Sequence, residues 1–269
     1  MLLPNDVLTR NNVKVIGTGS KTLMMAHGFG CDQNMWRFIT PVLEKKFKIV
    51  LFDYVGSGSS DLSQYDKERY SGLEGYAKDI IEIGDALQLS DAIFIGHSVS
   101  SIIGSLASIE APTLFSKMIM ICPSPCFLNF PPDYLGGFEK QDLLELLNLM
   151  DKNYIGWANY LAPLVMGDNN PSELTGELSS SFCSTDPVVA KGFAKATFLS
   201  DYRHILKDIK QPTLIFQSKN DSLASPEIGK FINENITDSE LEVVEADGHC
   251  LHMTHPEQIT NSIFEYLNK

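Results

Sequence analysis

The stretch Ala92-Ile-Phe-Ile-Gly96-His97-Ser98-Val99-Ser100 constrains this chain more than any other. A short apolar run, too brief for a helix, meets a turn of small residues and passes at once into Ser100 to Ile109, which has helical spacing. A serine at such a turn has its hydroxyl lifted above a sheet edge, beside the N-terminus of the next helix. The turn is strained, so small residues are needed two before and two after it. Gly96 meets the first need; Ser100 stands where the usual pattern has glycine, so the strict G-x-S-x-G string is absent. Ser100 and Ser101 offer alternative hydroxyls, but both fall inside the helix. The plainer alternative is a serine that caps an ordinary helix.

A strand that feeds a helix implies more of the same, and the chain supplies it. Short apolar runs bounded by turn chemistry read as strands at Thr22 to Ala26, Lys48 to Phe52, Ala92 to Ile95, Lys117 to Ile121, Thr213 to Gln217 and Leu241 to Glu245. Leu73, Tyr76, Ala77, Ile80, Ile81 and Leu87 recur at helical spacing, and Pro256 to Leu267 reads as a further helix. The alternation predicts a mostly parallel sheet with helices on both faces. Val7 to Ile16 is expected to add an antiparallel strand. From Cys126 to Leu199 the rhythm breaks, and four helices are expected: Gln141 to Asp151, Tyr154 to Met166, Ser172 to Phe182, and Pro187 to Phe198 with Asp186 as N-cap. They read as a lid (126–199) inserted into a single domain whose core is 1–125 and 200–269. A separate helical bundle is the alternative.

A serine is a weak nucleophile and needs a base. Of the histidines, His249 follows the last strand, after Gly248, where a turn projects its ring over the sheet end. The orienting acid belongs after a strand between Ser98 and His249, and Asp221 closes the polar loop after Thr213 to Gln217. The order Ser98, Asp221, His249 is the one such a sheet uses. Asp221 as a simple turn residue is the competing view. His249, His252 and His255 have a spacing that mimics a metal cluster, but no acidic partner accompanies them, so no metal is expected. An oxyanion needs preorganised N–H donors. His27-Gly28-Phe29-Gly30 closes the first strand, so Phe29 is expected to offer one and Val99, at a helix start, the other. Gly56-Ser-Gly58-Ser-Ser-Asp61 lacks the rest of a nucleotide-binding fingerprint and reads as a turn.

Composition narrows the classes. The net charge of -13 argues against nucleic-acid and membrane-surface binding. No apolar run spans a bilayer, and the start of the chain lacks a secretory signal. Cys31, Cys122, Cys126, Cys183 and Cys250 are odd in number and scattered, which argues against a disulfide framework or a zinc site. Cytoplasmic residence is the expectation, with no cofactor.

HGFGCDQNMW, LFDYVGSGSSDLSQYD, GHSVSSIIGSLAS, PSPCFLN, PPDYLGGF, NYIGWA, FCSTDP and GHCLHMTHP together resemble the α/β-hydrolase superfamily over nearly the whole length. Within it the chain is most similar to RsbQ-like hydrolases, bacterial regulators of the sigma-B energy-stress pathway. The plant strigolactone and karrikin receptor hydrolases belong to the same group and share serine after the valine of the elbow. The resemblance implies a four-helix lid over a deep apolar pocket, with Ser98, Asp221 and His249 as triad and Phe29 and Val99 as oxyanion donors. Phe29, Phe138, Trp157 and Phe198 become candidate pocket walls; lid core is the plainer role for each. It also implies a small apolar ester- or lactone-like substrate and a PP2C-type phosphatase partner with a PAS sensor domain. The alternative is a slow or non-catalytic small-ligand receptor that activates a partner.

Overall fold

A computed structural model of the chain describes residues 4–269. Helix α1 (Pro4–Arg10) and strand β1 (Lys14–Ile16) open it, followed by β2 (Thr22–Ala26), the short α2 (Thr40–Leu43), β3 (Lys48–Leu51), α3 (Leu73–Ala86), β4 (Ala92–His97), α4 (Val99–Glu110) and β5 (Phe115–Ile121). Four helices come next: α5 (Lys140–Lys152), α6 (Tyr154–Met166), α7 (Ser172–Ser184) and α8 (Pro187–Phe198). The chain closes with β6 (Thr213–Asn220), α9 (Pro226–Asn235), β7 (Ser239–Asp247), the short α10 (Leu251–Thr254) and α11 (Pro256–Leu267).

The seven strands lie in the order β1-β3-β2-β4-β5-β6-β7. Every pair is parallel except β1 with β3. Successive residues of a strand face opposite sides, so each strand feeds two cores. Leu23, Met25, Ile93, Ile95, Ile119 and Ile121 face Trp36, the inserted helices and α11. Met24, Ala26, Phe94, Met118 and Met120 face α3, α4 and α9. This two-sided burial is why the strands read as unbroken apolar runs.

The antiparallel strand is shorter than the sequence predicts. Val7 to Ile16 was to be one strand; residues through Arg10 are helical and only Lys14–Ile16 pair with β3. A buried charge network holds α1 in place. Arg10 Nη2 lies 3.2 Å from Asp79 and 2.6 Å from Glu82, and Arg69 meets the same two carboxylates at 2.7 and 2.9 Å. Helix α9, absent from the sequence reading, packs through Ile228 and Ile232.

The helical insertion leaves the sheet after β5 and returns before β6. Its ends meet: Cys126 pairs with Asp201 across an antiparallel bridge, and Tyr202 donates its N–H to the Pro125 carbonyl at 2.9 Å. Asp186 caps α8 as expected, accepting from the Val188 and Val189 amides at 2.9 and 3.2 Å ahead of Pro187.

Candidate active site

Strand β4 ends at His97 and α4 begins at Val99, so Ser98 carries the whole reversal between them. Its backbone sits at φ 55°, ψ −125°, a conformation that L residues rarely adopt. The Ser98 N–H anchors the turn on the Ile121 carbonyl of the neighbouring strand at 2.8 Å. Gly96 is required by close approach: a Cβ there would lie 2.8 Å from the Ser100 carbonyl and from the Phe94 ring.

Ser100, the departure from the usual pattern, is used. It is fully buried, donates to the His27 carbonyl and accepts from the Tyr54 hydroxyl at 2.9 Å. A glycine would leave that carbonyl without this donor. The hydroxyl thus ties the helix behind the nucleophile to the loop that leaves β2. Ser101 donates to the Gly96 carbonyl at 2.9 Å, so neither alternative serine is free to attack a ligand.

The three residues predicted for the triad are brought together. His249 Nε2 lies 2.7 Å from Ser98 Oγ, and Nδ1 lies 2.7 Å from Asp221 Oδ2. Asp221 Oδ1 accepts from the Leu223 and Ala224 amides at 2.8 and 3.1 Å, which fixes the carboxylate. All three side chains are buried. With Nδ1–H held by Asp221, Nε2 is the lone-pair nitrogen facing the serine, the tautomer a general base needs. Behind them, Cys122 places Sγ within 4.8 Å of the facing atoms of Asp221 and His249. Burial, reinforced by the Asp221 charge, pushes its thiol well above the usual range, so Cys122 stays neutral.

The base loop is docked on the insertion. Gly248 has φ +82°, and a Cβ there would stand 1.9 Å from the Met166 carbonyl at the end of α6. The His249 N–H donates to Val165 O at 2.7 Å. Asn170, in the GDNNP segment that reads only as a separator in the sequence, donates to Met166 O and Asp247 O at 2.7 and 2.9 Å. The end of helix α6 therefore holds the loop that carries His249 through these hydrogen bonds.

Phe29 and Val99 lie where the register of the sheet puts them: Ala26 pairs with Gly96, so the two loops leave adjacent parallel strands side by side. Val99 is the first residue of α4, whose N–H has no partner within the helix. Phe29 also lines the cavity at Ser98, as does Phe198. The other two predicted walls do not. Phe138 lines a separate outer groove of about 510 Å³ between α5 and α6. Trp157 stands one layer back, 6.0 Å from the Phe29 ring and 5.3 Å from Phe182. Sequence reasoning placed them by likeness, and helical spacing does not say how far from the sheet a lid residue sits.

His252 packs at a tilt against the rings of Trp36 and His97, with centroids 4.6 Å from each, and His255 occupies the N-cap position of α11 without a side-chain capping bond. His249, His252 and His255 thus face different surroundings. His97 donates Nε2–H to the His249 carbonyl at 2.9 Å, a direct tie between nucleophile turn and base loop that the sequence does not signal. The Gly56–Asp61 turn wraps Asp53, which accepts from the Gln33 and Ser59 amides at 2.9 and 3.0 Å.

A strained serine above a parallel sheet, a base on the last loop and an acid after β6 define a class, and the family comparison names it. The model of the alpha/beta hydrolase family matches residues 23–261, and the chain belongs to that family. It is an esterase-like hydrolase. Karrikin insensitive 2 receptor IA of Petunia hybrida is 40% identical over 246 residues, covering 91% of this chain and 89% of that protein. Strigolactone esterase D14 of Arabidopsis thaliana is 34% identical over 256 residues, covering 95% of each. The structure of a hydrolase from Oleispira antarctica superposes with a TM-score of 0.98 at 62% identity, across 100% of this chain and 98% of that one.

Proposed function

We propose that the chain cleaves small, uncharged ester- or lactone-like molecules by acyl transfer through Ser98. The observation that carries the reading is the continuous line from Asp221 through His249 to Ser98, with both contacts at 2.7 Å, in a cavity lined mostly by apolar side chains. His249 Nε2 takes the serine proton as Oγ attacks the carbonyl carbon. The N–H groups of Phe29 and Val99 meet the developing oxyanion. The bond to the leaving oxygen then breaks as His249 returns the proton, and water releases the acyl group by the same route. Asp221 holds the imidazole and stabilises its charged form.

Purified protein should hydrolyse short acyl esters, and Ser98→Ala should reduce the rate by several orders of magnitude while the fold persists. A serine-reactive fluorophosphonate should label Ser98 alone. Wild-type rates in Ser98→Ala, or label on Ser100 or Ser101, would move the nucleophile elsewhere.

The long likeness to RsbQ-like sequences supports a finer role: positive regulation of a stress-response phosphatase of the PP2C type with a PAS sensor domain. A second reading is supported by the relatives whose names describe receptors. In it the chain binds a small ligand, turns it over slowly or not at all, and activates its partner. Phosphatase output in cells that carry Ser98→Ala separates the two. Lost output assigns signalling to catalysis; retained output assigns it to binding.

A further inference from the structure

The cavity at Ser98 is small and almost wholly apolar. Its volume is about 30 Å³, room for about two waters. Phe29, Phe127, Val165, Leu178 and Phe182 wall it. The outer groove, about 510 Å³, shares Leu161, Phe198 and Leu223 with it. The acyl part of a substrate attacked by Ser98 therefore meets a tight apolar wall, with the groove on the far side of those three side chains. A tight wall fits a compact acyl group.

One polar atom in the tight wall has nothing to do. Thr197, in the last turn of α8, lines the cavity and is 3% exposed. Its Oγ1 has no hydrogen-bond partner within the protein. A threonine inside a helix ordinarily bonds back to a carbonyl one turn earlier. Thr260 does so with the Pro256 and Glu257 carbonyls at 2.9 and 3.0 Å, and Thr254 with Cys250 at 3.3 Å. Thr197 forgoes that bond, and its side chain is buried in the wall of the cavity with its hydroxyl unpaired. The cavity's other unpartnered polar atom, His97 Nδ1, abuts Gly28, where an added Cβ would lie 2.4 Å away. Apart from Thr197 and the cysteines Cys31 and Cys250, the polar lining is the Ser98–His249 pair and His97.

We propose that Thr197 is the polar specificity determinant of this site, selecting a compact ester or lactone whose acyl part carries a second oxygen. This rests on Ser98 as the nucleophile. Desolvating a hydroxyl without a partner costs more than pairing it returns, so a site built this way favours substrates that supply the missing oxygen.

The test uses three umbelliferyl esters: acetate, hydroxyacetate and octanoate. Wild type should cleave the hydroxyacetate with a kcat/KM about tenfold above the acetate after correction for spontaneous hydrolysis, the worth of one hydrogen bond to a neutral group. Octanoate should be cleaved far more slowly than acetate. Thr197→Val keeps the shape and removes the oxygen; it should bring the hydroxyacetate-to-acetate ratio of kcat/KM down to about one. Thr197→Ser should retain the preference. An unchanged preference in Thr197→Val, no preference in wild type, or octanoate cleaved as fast as acetate would each overturn the assignment. If umbelliferyl acetate is not cleaved, or is cleaved equally by Ser98→Ala, the acyl-transfer reading itself falls, and the two failures are told apart.

Discussion

Two residues behave in ways their positions in the sequence alone do not announce. Ser100 fills a site where glycine is usual, and its hydroxyl holds the His27 carbonyl at the entry to the Phe29 loop. Ser100→Ala should leave that buried carbonyl without this donor, lower stability by about 1–3 kcal/mol and reduce kcat more than KM. Denaturant melts and ester kinetics measured together check it; unchanged kcat would sever Ser100 from the oxyanion loop. Asp221 fixes the tautomer of His249, so Asp221→Asn should keep the fold and slow hydrolysis by about 10⁴-fold, the loss known for the serine-protease triad. A loss below tenfold would leave Asp221 as a turn residue. That Ser98, Asp221 and His249 would meet was legible because each follows a strand and its turn chemistry is written locally. His97, Asn170 and Thr197 were not legible, because their roles depend on which distant backbone or cavity they meet.

At the level of elements, the insertion and the base loop are one unit. The α6 carbonyls at Val165 and Met166 receive His249 N–H and Asn170 Nδ2, and Gly248 lets the loop pass beneath them. Asn170→Ala removes both of its bonds, one to α6 and one to Asp247. It should destabilise by about 1–3 kcal/mol and lower kcat through a looser His249, read by ester kinetics and hydrogen exchange at residues 247–250. Rigid exchange with normal kcat would show that α6 covers the site without positioning it. The sheet strands and the inserted helices were visible in the sequence because burial on two faces and helical periodicity leave regular patterns. Helix α1 was misread as strand because Val7 to Ile16 carries no clear period, and its place is set by the Arg10–Asp79 and Arg10–Glu82 contacts with α3. The walls Phe138 and Trp157 were misplaced because periodicity gives a face of a helix and not its depth.

Across the whole molecule, among the described residues, no helix is long and apolar enough to cross a membrane. Three histidines are fully buried and held neutral: burial lowers His27 against the pull of Asp53, lowers His97 well below the usual value with help from its histidine neighbours, and lowers His252 to about 3. Each takes up its proton in the unfolded chain near pH 6.5 but resists it in the fold. Their stability contribution is therefore intact above about pH 6.5 and is lost as pH falls below it, by up to about 1.4 kcal/mol per pH unit for each group. Urea midpoints should drop steeply between about pH 6.5 and 5, and His252→Phe, which keeps the ring contacts, should shallow that drop by about one proton. A flat profile would show that these rings are not buried neutral. The account as a whole stands on Ser98 as the atom that carries the acyl group, and one measurement addresses it: mass spectrometry of protein quenched during turnover of an umbelliferyl ester. The account predicts a single acyl group on the peptide that holds Ser98, present in wild type, accumulating further where deacylation is slowed, and absent from Ser98→Ala. Turnover with no adduct at any time, or an acyl group on Ser100, Ser101 or a cysteine, would contradict it.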